Sequence, residues 1–314
     1  MSRAFIFPGQ GSQYAGMGKA LATSYAEARE VFDEVNDALS QDLTAIMWAD
    51  ENPDLNLTEN TQPALMAVSV AVWRVIAKQS GKTLDELAQY AAGHSLGEYS
   101  ALTVTEALKL ADTARLLKLR GQAMQRAVPV GQGAMAAILG LDYDDVQAIA
   151  DDASKDETCE AANDNSPGQV VISGHKNAVA QAIALATERG AKKAVELPVS
   201  APFHCALMAP AAEEMAQALA DTTISAPIIP VVANVIASEV QDPDQIRDLL
   251  VKQITGTVRW RESVLWMKEH GITDMAELGA GKVLSGLARR IDRDLSGVSV
   301  ETPEQIDAFL ASLS

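Results

Sequence analysis

The chain has 314 residues, 48% hydrophobic and 21% charged, enough for a large core and more than one folded unit. Its formal net charge of −17 argues against nucleic acid as a partner, and an acidic partner would need a local basic patch. The longest apolar run, near residues 64–73, is about half of what crosses a bilayer. With no secretory pattern after Met1-Ser2-Arg3, a cytoplasmic location without membrane contact is expected.

In chain order, residues 4–7 read as a short buried strand stopped by Pro8-Gly9-Gln10-Gly11, with a helix after the glycines. Thr61 as N-cap and Pro63 in the first turn predict an apolar helix to about Lys78. Tyr90-Ala91-Ala92 is a short apolar stretch, and a helix is expected from Leu96. A long helix is predicted over 105–127, ending before Pro129.

The texture then changes. Strands are predicted over 133–140, 158–162, 169–173 and 192–197, with helices over 143–153 and 177–189. This β-α-β-β-α-β order fits a small ferredoxin-like unit inserted into a larger one. The larger unit resumes near Pro198, with helices over 209–220, 243–252, 259–269 and 282–291, strands over 229–234, 275–278 and 298–300, and a last helix from Pro303. The fold class expected is α/β, a mostly parallel sheet core resembling an α/β hydrolase, with the ferredoxin-like α+β unit inserted. Residues 1–127 and 198–314 would form the large domain, and 128–197 the small one.

Gly93-His94-Ser95-Leu96-Gly97 reads as G-x-S-x-G on a strand-to-helix turn, where a serine is pushed out of the sheet and the next helix aims free N–H groups at it. A plain turn joining two elements fits the five residues equally well. Two phosphate-loop patterns fail: Gly9-Gln10-Gly11 would need its third glycine at Tyr14, and Gly279-Ala280-Gly281-Lys282 has Val283 where Ser or Thr is required. The cysteines, Cys159 and Cys205, show neither a disulfide framework nor metal-ligand spacing.

A serine nucleophile needs a base. Of the four histidines, His94 adjoins the serine and can only line its pocket, His175 reads as a turn residue, and His270 suits a helix end. His204, in the loop Ser200-Ala201-Pro202-Phe203-His204, is left as the base. Arg120 has Leu116, Leu117, Ala123 and Met124 as helix neighbours, which puts its guanidinium on an apolar face where it needs an anion. An internal Asp or Glu is the ordinary partner, and a substrate carboxylate held bidentately is the alternative. Lys192-Lys193 and Arg289-Arg290 with Arg293 are candidate basic patches, or ordinary solvated charges.

Taken together, Phe7-Pro8-Gly9-Gln10-Gly11-Ser12-Gln13, Gly93-His94-Ser95-Leu96-Gly97-Glu98, Arg120-Gly121, Asn165-Ser166-Pro167-Gly168-Gln169 and Phe203-His204 resemble the malonyl-CoA:acyl carrier protein transacylase family and the related acyltransferase domains of fatty acid and polyketide synthases. The resemblance runs from residue 4 to about 291. It implies Ser95 as nucleophile, His204 as base, and the backbone N–H groups of Gln10 and Leu96 as oxyanion hole. Arg120 would bind the malonyl carboxylate, and the Gln253 carbonyl would orient His204. Asn163, Asn165, Met124, Phe203 and His94 would line the site. Phe203 stands where many free-standing bacterial members have serine. Lys192, Lys193, Arg289 and Arg290 would meet the acidic carrier protein. Malonyl-CoA and acyl carrier protein are the implied partners of a monomer that uses no cofactor or metal. A serine esterase or thioesterase, a polyketide-pathway acyltransferase and a non-catalytic carrier-binding module are the alternatives.

Overall fold

The computed structural model describes residues 2–155, 157–199 and 201–313; Ser200 of the His204 loop lies outside them. Among the described residues ten strands form two sheets: β1 (Arg3–Phe7), β2 (Tyr90–Gly93), β3 (Gly133–Leu139), β4 (Cys159–Ser166), β5 (Gln169–His175), β6 (Lys193–Glu196), β7 (Val231–Ala233), β8 (Ser238–Val240), β9 (Asp274–Leu278) and β10 (Ser296–Val300). The larger sheet has the order β10-β9-β1-β2-β7-β8, and every pairing is parallel except β7 with β8. β1 is buried along Ala4–Phe7 because helices cover both faces, which is why it reads as a continuous apolar run rather than an alternating one.

The smaller sheet, β4-β5-β3-β6, is antiparallel throughout, with the helices Tyr143–Ala153 and Lys176–Glu188 packed on it over a separate core around Ile138, Ile149 and Ile172. Its strand order is that of a ferredoxin-like unit. This subdomain is tied to the larger sheet's side through β4. Asn163 bridges to Val258, Asp164 N–H donates to Val258 O at 3.0 Å, and Val258 N–H donates to Ala162 O at 2.9 Å. The Arg261 guanidinium grips the buried Asp164 carboxylate with Nε at 3.0 and 2.9 Å from its oxygens.

Several predicted boundaries move. The second long helix starts at Thr58, not after Thr61, and Pro63 lies inside it; the Thr61 hydroxyl donates to the Leu55 and Leu57 carbonyls instead of capping. The predicted helix over 105–127 begins only at Leu110; Glu106 takes a φ of 63° in the break between it and the expected helix from Leu96, which ends at Val104. β4 extends to Ser166, so Asn163 and Asn165 are strand residues; register shifts along it set which side chains face the cleft. The antiparallel edge strand β8 carries only three residues and shows no sequence pattern.

Candidate active site

Ser95 sits between β2 and the helix Leu96–Val104 with φ 54° and ψ −111°, a backbone state that a non-glycine residue adopts only when its surroundings enforce it. The flanking glycines explain the enforcement. A Cβ on Gly93 would lie 1.9 Å from the Gly97 carbonyl carbon, and one on Gly97 would lie 2.3 Å from Phe7 O. Asn234, just past β7, clasps the same turn: its Oδ1 accepts from Ser95 N–H at 2.8 Å and its Nδ2 donates to Gly93 O at 2.7 Å. Gln10, Ser95 and Asn234 thus follow the carboxyl ends of three adjacent parallel strands, where open α/β sheets place ligands.

The Ser95 hydroxyl faces His204, with Oγ to Nε2 at 2.8 Å, and the other ring nitrogen, Nδ1, donates to the Gln253 carbonyl at 2.8 Å. That donation fixes the tautomer, leaving Nε2 as the acceptor for the serine proton. His204 is 4% exposed, and burial together with the Arg120 charge pushes its imidazole down to about 3, so it is neutral at ordinary pH.

Arg120 is 1% exposed and makes no ion pair among the described residues, so the internal acidic partner expected on composition is absent. Nη1 donates to Gln62 Oε1 at 2.8 Å, and Nη2 donates to Gln253 Oε1 at 2.8 Å and to Ser95 Oγ at 3.1 Å. Nε has no hydrogen-bond partner among the described residues; the Tyr99 ring lies 5.7 Å from the guanidinium carbon, an electrostatic contact without hydrogen-bond geometry. Close helix packing delivers Arg120 here, since a Cβ on Gly121 would fall 2.5 Å from Glu59 Cα.

Glu98 is buried as well. Its Oε2 accepts from Asn234 N–H and from Gln253 Nε2, both at 2.9 Å, while burial raises its carboxyl to about 7. Gln253 Nε2 also donates to Ser95 O at 3.0 Å.

These groups open on a cleft of about 260 Å³ lined by Gln10, His94, Ser95, Leu96, Arg120, Met124, Asn163, Asn165, Phe203 and His204, with Gln62 and Gln169 added. His94 is fixed beside Ser95 by Nε2 to Asn165 Oδ1 at 2.8 Å. Gln253 lies behind this lining, fully buried, where its carbonyl and its side chain hold His204 and Arg120. Gln10 and Leu96 present backbone N–H groups that donate to no other group among the described residues, and the 8–11 loop lies so near that a Cβ on Gly9 would come within 2.7 Å of His94 O. Lys192, Lys193, Arg289 and Arg290 are all exposed, outside the cleft.

Gln62, Glu98 and Asn234 escaped the sequence reading. Asn234 carried a usable signal, a polar residue at the carboxyl end of a predicted strand. Gln62 sits at the edge of the apolar run, and its partner is 58 positions away in sequence.

A serine paired with a neutral imidazole, facing free N–H groups and an uncompensated guanidinium, can form and hold an ester of a negatively charged acyl group. Residues 4–290 match the acyl transferase domain family. The chain belongs to that family. It is 46% identical over 307 residues to malonyl CoA-acyl carrier protein transacylase of Escherichia coli K12, covering 98% of both chains. The Bacillus subtilis protein of the same description is 42% identical over 311 residues, covering 99% of this chain and 96% of the other. Among solved structures, an acyl-carrier-protein S-malonyltransferase from Bartonella henselae superposes with a TM-score of 0.97 at 52% identity, covering 100% and 99% of the two chains. A malonyl-transacylase solved in complex with a type II polyketide acyl-carrier protein gives 0.96 at 42% identity, with 99% and 100% covered. No helix among the described residues is long and apolar enough to cross a membrane.

Proposed function

We propose that this acyltransferase moves the malonyl group from malonyl-CoA to the phosphopantetheine thiol of acyl carrier protein through an ester on Ser95, in fatty acid synthesis in the cytoplasm. The observation that carries the reading is the buried Arg120, without an acidic partner among the described residues and one hydrogen bond from the Ser95 hydroxyl. A cation in that position is matched when a carboxylate enters with the acyl group.

His204 Nε2 takes the Ser95 proton as Oγ attacks the thioester carbonyl. The tetrahedral oxyanion receives hydrogen bonds from Gln10 and Leu96 N–H, each worth about 3–4 kcal/mol of barrier. The imidazolium returns the proton to the departing coenzyme A sulfur. The carrier thiol then gives its proton to His204, attacks the ester carbonyl and leaves with the malonyl group, and Ser95 recovers its proton. Each step draws on side chains, backbone N–H groups and the two thiols, so no cofactor is called for. The small subdomain, residues 128–197, serves as one wall of the cleft against the larger domain of residues 1–127 and 198–314.

A hydrolase reading would place water as acceptor and a loop carboxylate behind the histidine; His204 instead donates to a backbone carbonyl. Incubation with malonyl-CoA, proteolysis and mass spectrometry should find malonyl on the Ser95 peptide, discharged by added carrier. Absence of that adduct, or free malonate as the product in the presence of carrier, would overturn the proposal.

A further inference from the structure

We infer that Gln62 sets the choice of acyl group, because it holds the Arg120 guanidinium through an uncharged acceptor. The inference rests on the malonyl-transfer reading above and adds a specificity-determining residue to it.

Gln62 lies in the helix Thr58–Ser80, 1% exposed, with Oε1 2.8 Å from Arg120 Nη1 and Nε2 3.9 Å from Met124 Sδ. A guanidinium has only donors, so the amide must turn its oxygen toward Arg120, leaving its NH2 for the weakly accepting sulfur. Gln253 repeats the device on Nη2, again with an amide oxygen at 2.8 Å. The buried Glu98 is kept from direct contact: its Oε2 is occupied by Asn234 N–H and Gln253 Nε2, and Gln253 stands between carboxylate and guanidinium.

Two neutral acceptors orient the cation yet leave its charge unmatched. A carboxylate at either place would hold the same geometry and also satisfy the charge, as internal ion pairs do. An incoming malonyl carboxylate would then have to compete with it, whereas an acetyl group would not. Geometry and charge are therefore separable at this residue. Glu keeps the length and the acceptor oxygen of Gln62 but supplies the charge; Met keeps the length and loses the acceptor.

The experiment measures Ser95 loading from malonyl-CoA and from acetyl-CoA in the wild type, Gln62→Glu and Gln62→Met, with fluorophosphonate labelling of Ser95 as the control for an intact site. Gln62→Glu should lose malonyl preference by about 10- to 100-fold, seen chiefly as a raised KM for malonyl-CoA while fluorophosphonate still labels Ser95. Gln62→Met should lose less, about three- to tenfold, through a poorly oriented guanidinium. A residue that only props up Arg120 would show the opposite order, since Glu preserves the acceptor; a loss in Gln62→Glu no larger than in Gln62→Met overturns the inference. Should Gln62→Glu not fold, an unchanged malonyl-to-acetyl ratio in Gln62→Met refutes the role. A wild type that never loads malonyl in preference to acetyl refutes the transfer reading itself, a result distinct from any variant's.

Discussion

Arg120 Nη2 donates to Ser95 Oγ at 3.1 Å, so the buried cation and the hydroxyl are joined before any acyl group arrives. The same hydroxyl sits 2.8 Å from His204 Nε2. With the proton directed to His204, Oγ accepts from the guanidinium and still keeps a lone pair for attack. Acyl selection and acyl transfer are thus built within one hydrogen bond of each other.

Arg120→Ala should uncouple the two. Without the cation, malonyl loses its charge-assisted contact, and the malonyl-to-acetyl loading ratio should fall by about 10- to 100-fold. Ser95 keeps His204, Asn234 and the 8–11 loop, so fluorophosphonate labelling should persist. An unchanged ratio measured on an acyl-CoA panel would make Arg120 a structural group only.

Much of this site is legible in the chain, and the part that is not has a physical reason. Ser95 announces itself because glycines two positions either side are a local requirement of the turn. Arg120 does so because a charge on an apolar helix face breaks periodicity. Gln62, Asn234 and Glu98 break no local rule; their roles exist only once separate elements converge, as when Gly121 lets Arg120 approach the Gln62 helix. The same logic explains the misplaced helix start. Thr61 has cap chemistry, but its hydroxyl finds the Leu55 and Leu57 carbonyls just before it, and the helix gains another turn by beginning at Thr58.

Gly97→Ala tests the turn directly. Its Cβ would meet Phe7 O at 2.3 Å, backbone against backbone in the central sheet, with no flexible side chain to yield. The variant should be destabilised by more than about 3 kcal/mol or shift Ser95 out of reach of His204. Denaturant unfolding and fluorophosphonate labelling read the two outcomes, and a variant normal in both would refute the close-packing account.

Stability against pH carries opposing signatures. His204 is lowered from 6.5 to about 3, so between those values the unfolded chain binds more protons and stability rises with pH, by up to about 1.4 kcal/mol per unit. His94, lowered by burial, adds in the same sense. Glu98 is raised from 4.5 to about 7, so the folded chain binds more protons across that window and stability falls as pH rises. In the overlap Glu98 offsets the slope of one histidine, and the acid loss should reach its full steepness only below about pH 4.5, where Glu98 is protonated in both states. Glu98→Gln should extend the histidine slope up to about 6.5. Denaturant midpoints collected across pH would show whether this extension occurs. Because His204 is already neutral, kcat/KM for Ser95 loading should show no acid limb near 6.5 in the wild type.

The basic residues outside the cleft form a row that the registers make explicit. In the small sheet Leu139 pairs with Gln169 on one side and Lys193 on the other, and Arg290 Nη1 reaches across to Gln169 Oε1 at 3.1 Å. Gln169 lines the cleft, so the row leads from Lys193 past the opening to the end of the helix Val283–Ile291, which bears Arg289 and Arg290. On a chain of net charge −17 we propose that these cations meet an acidic carrier. Lys193→Glu with Arg290→Glu should raise KM for carrier about tenfold and flatten its dependence on salt. Loading should be followed with a malonyl thioester whose thiol portion bears no phosphate, since coenzyme A phosphates could feel the same charges. Ser95 acylation from that donor should be unchanged, because neither residue is itself part of the cleft lining. Equal losses in both half-reactions would mean that the substitutions distort the cleft and that the row does not dock the carrier.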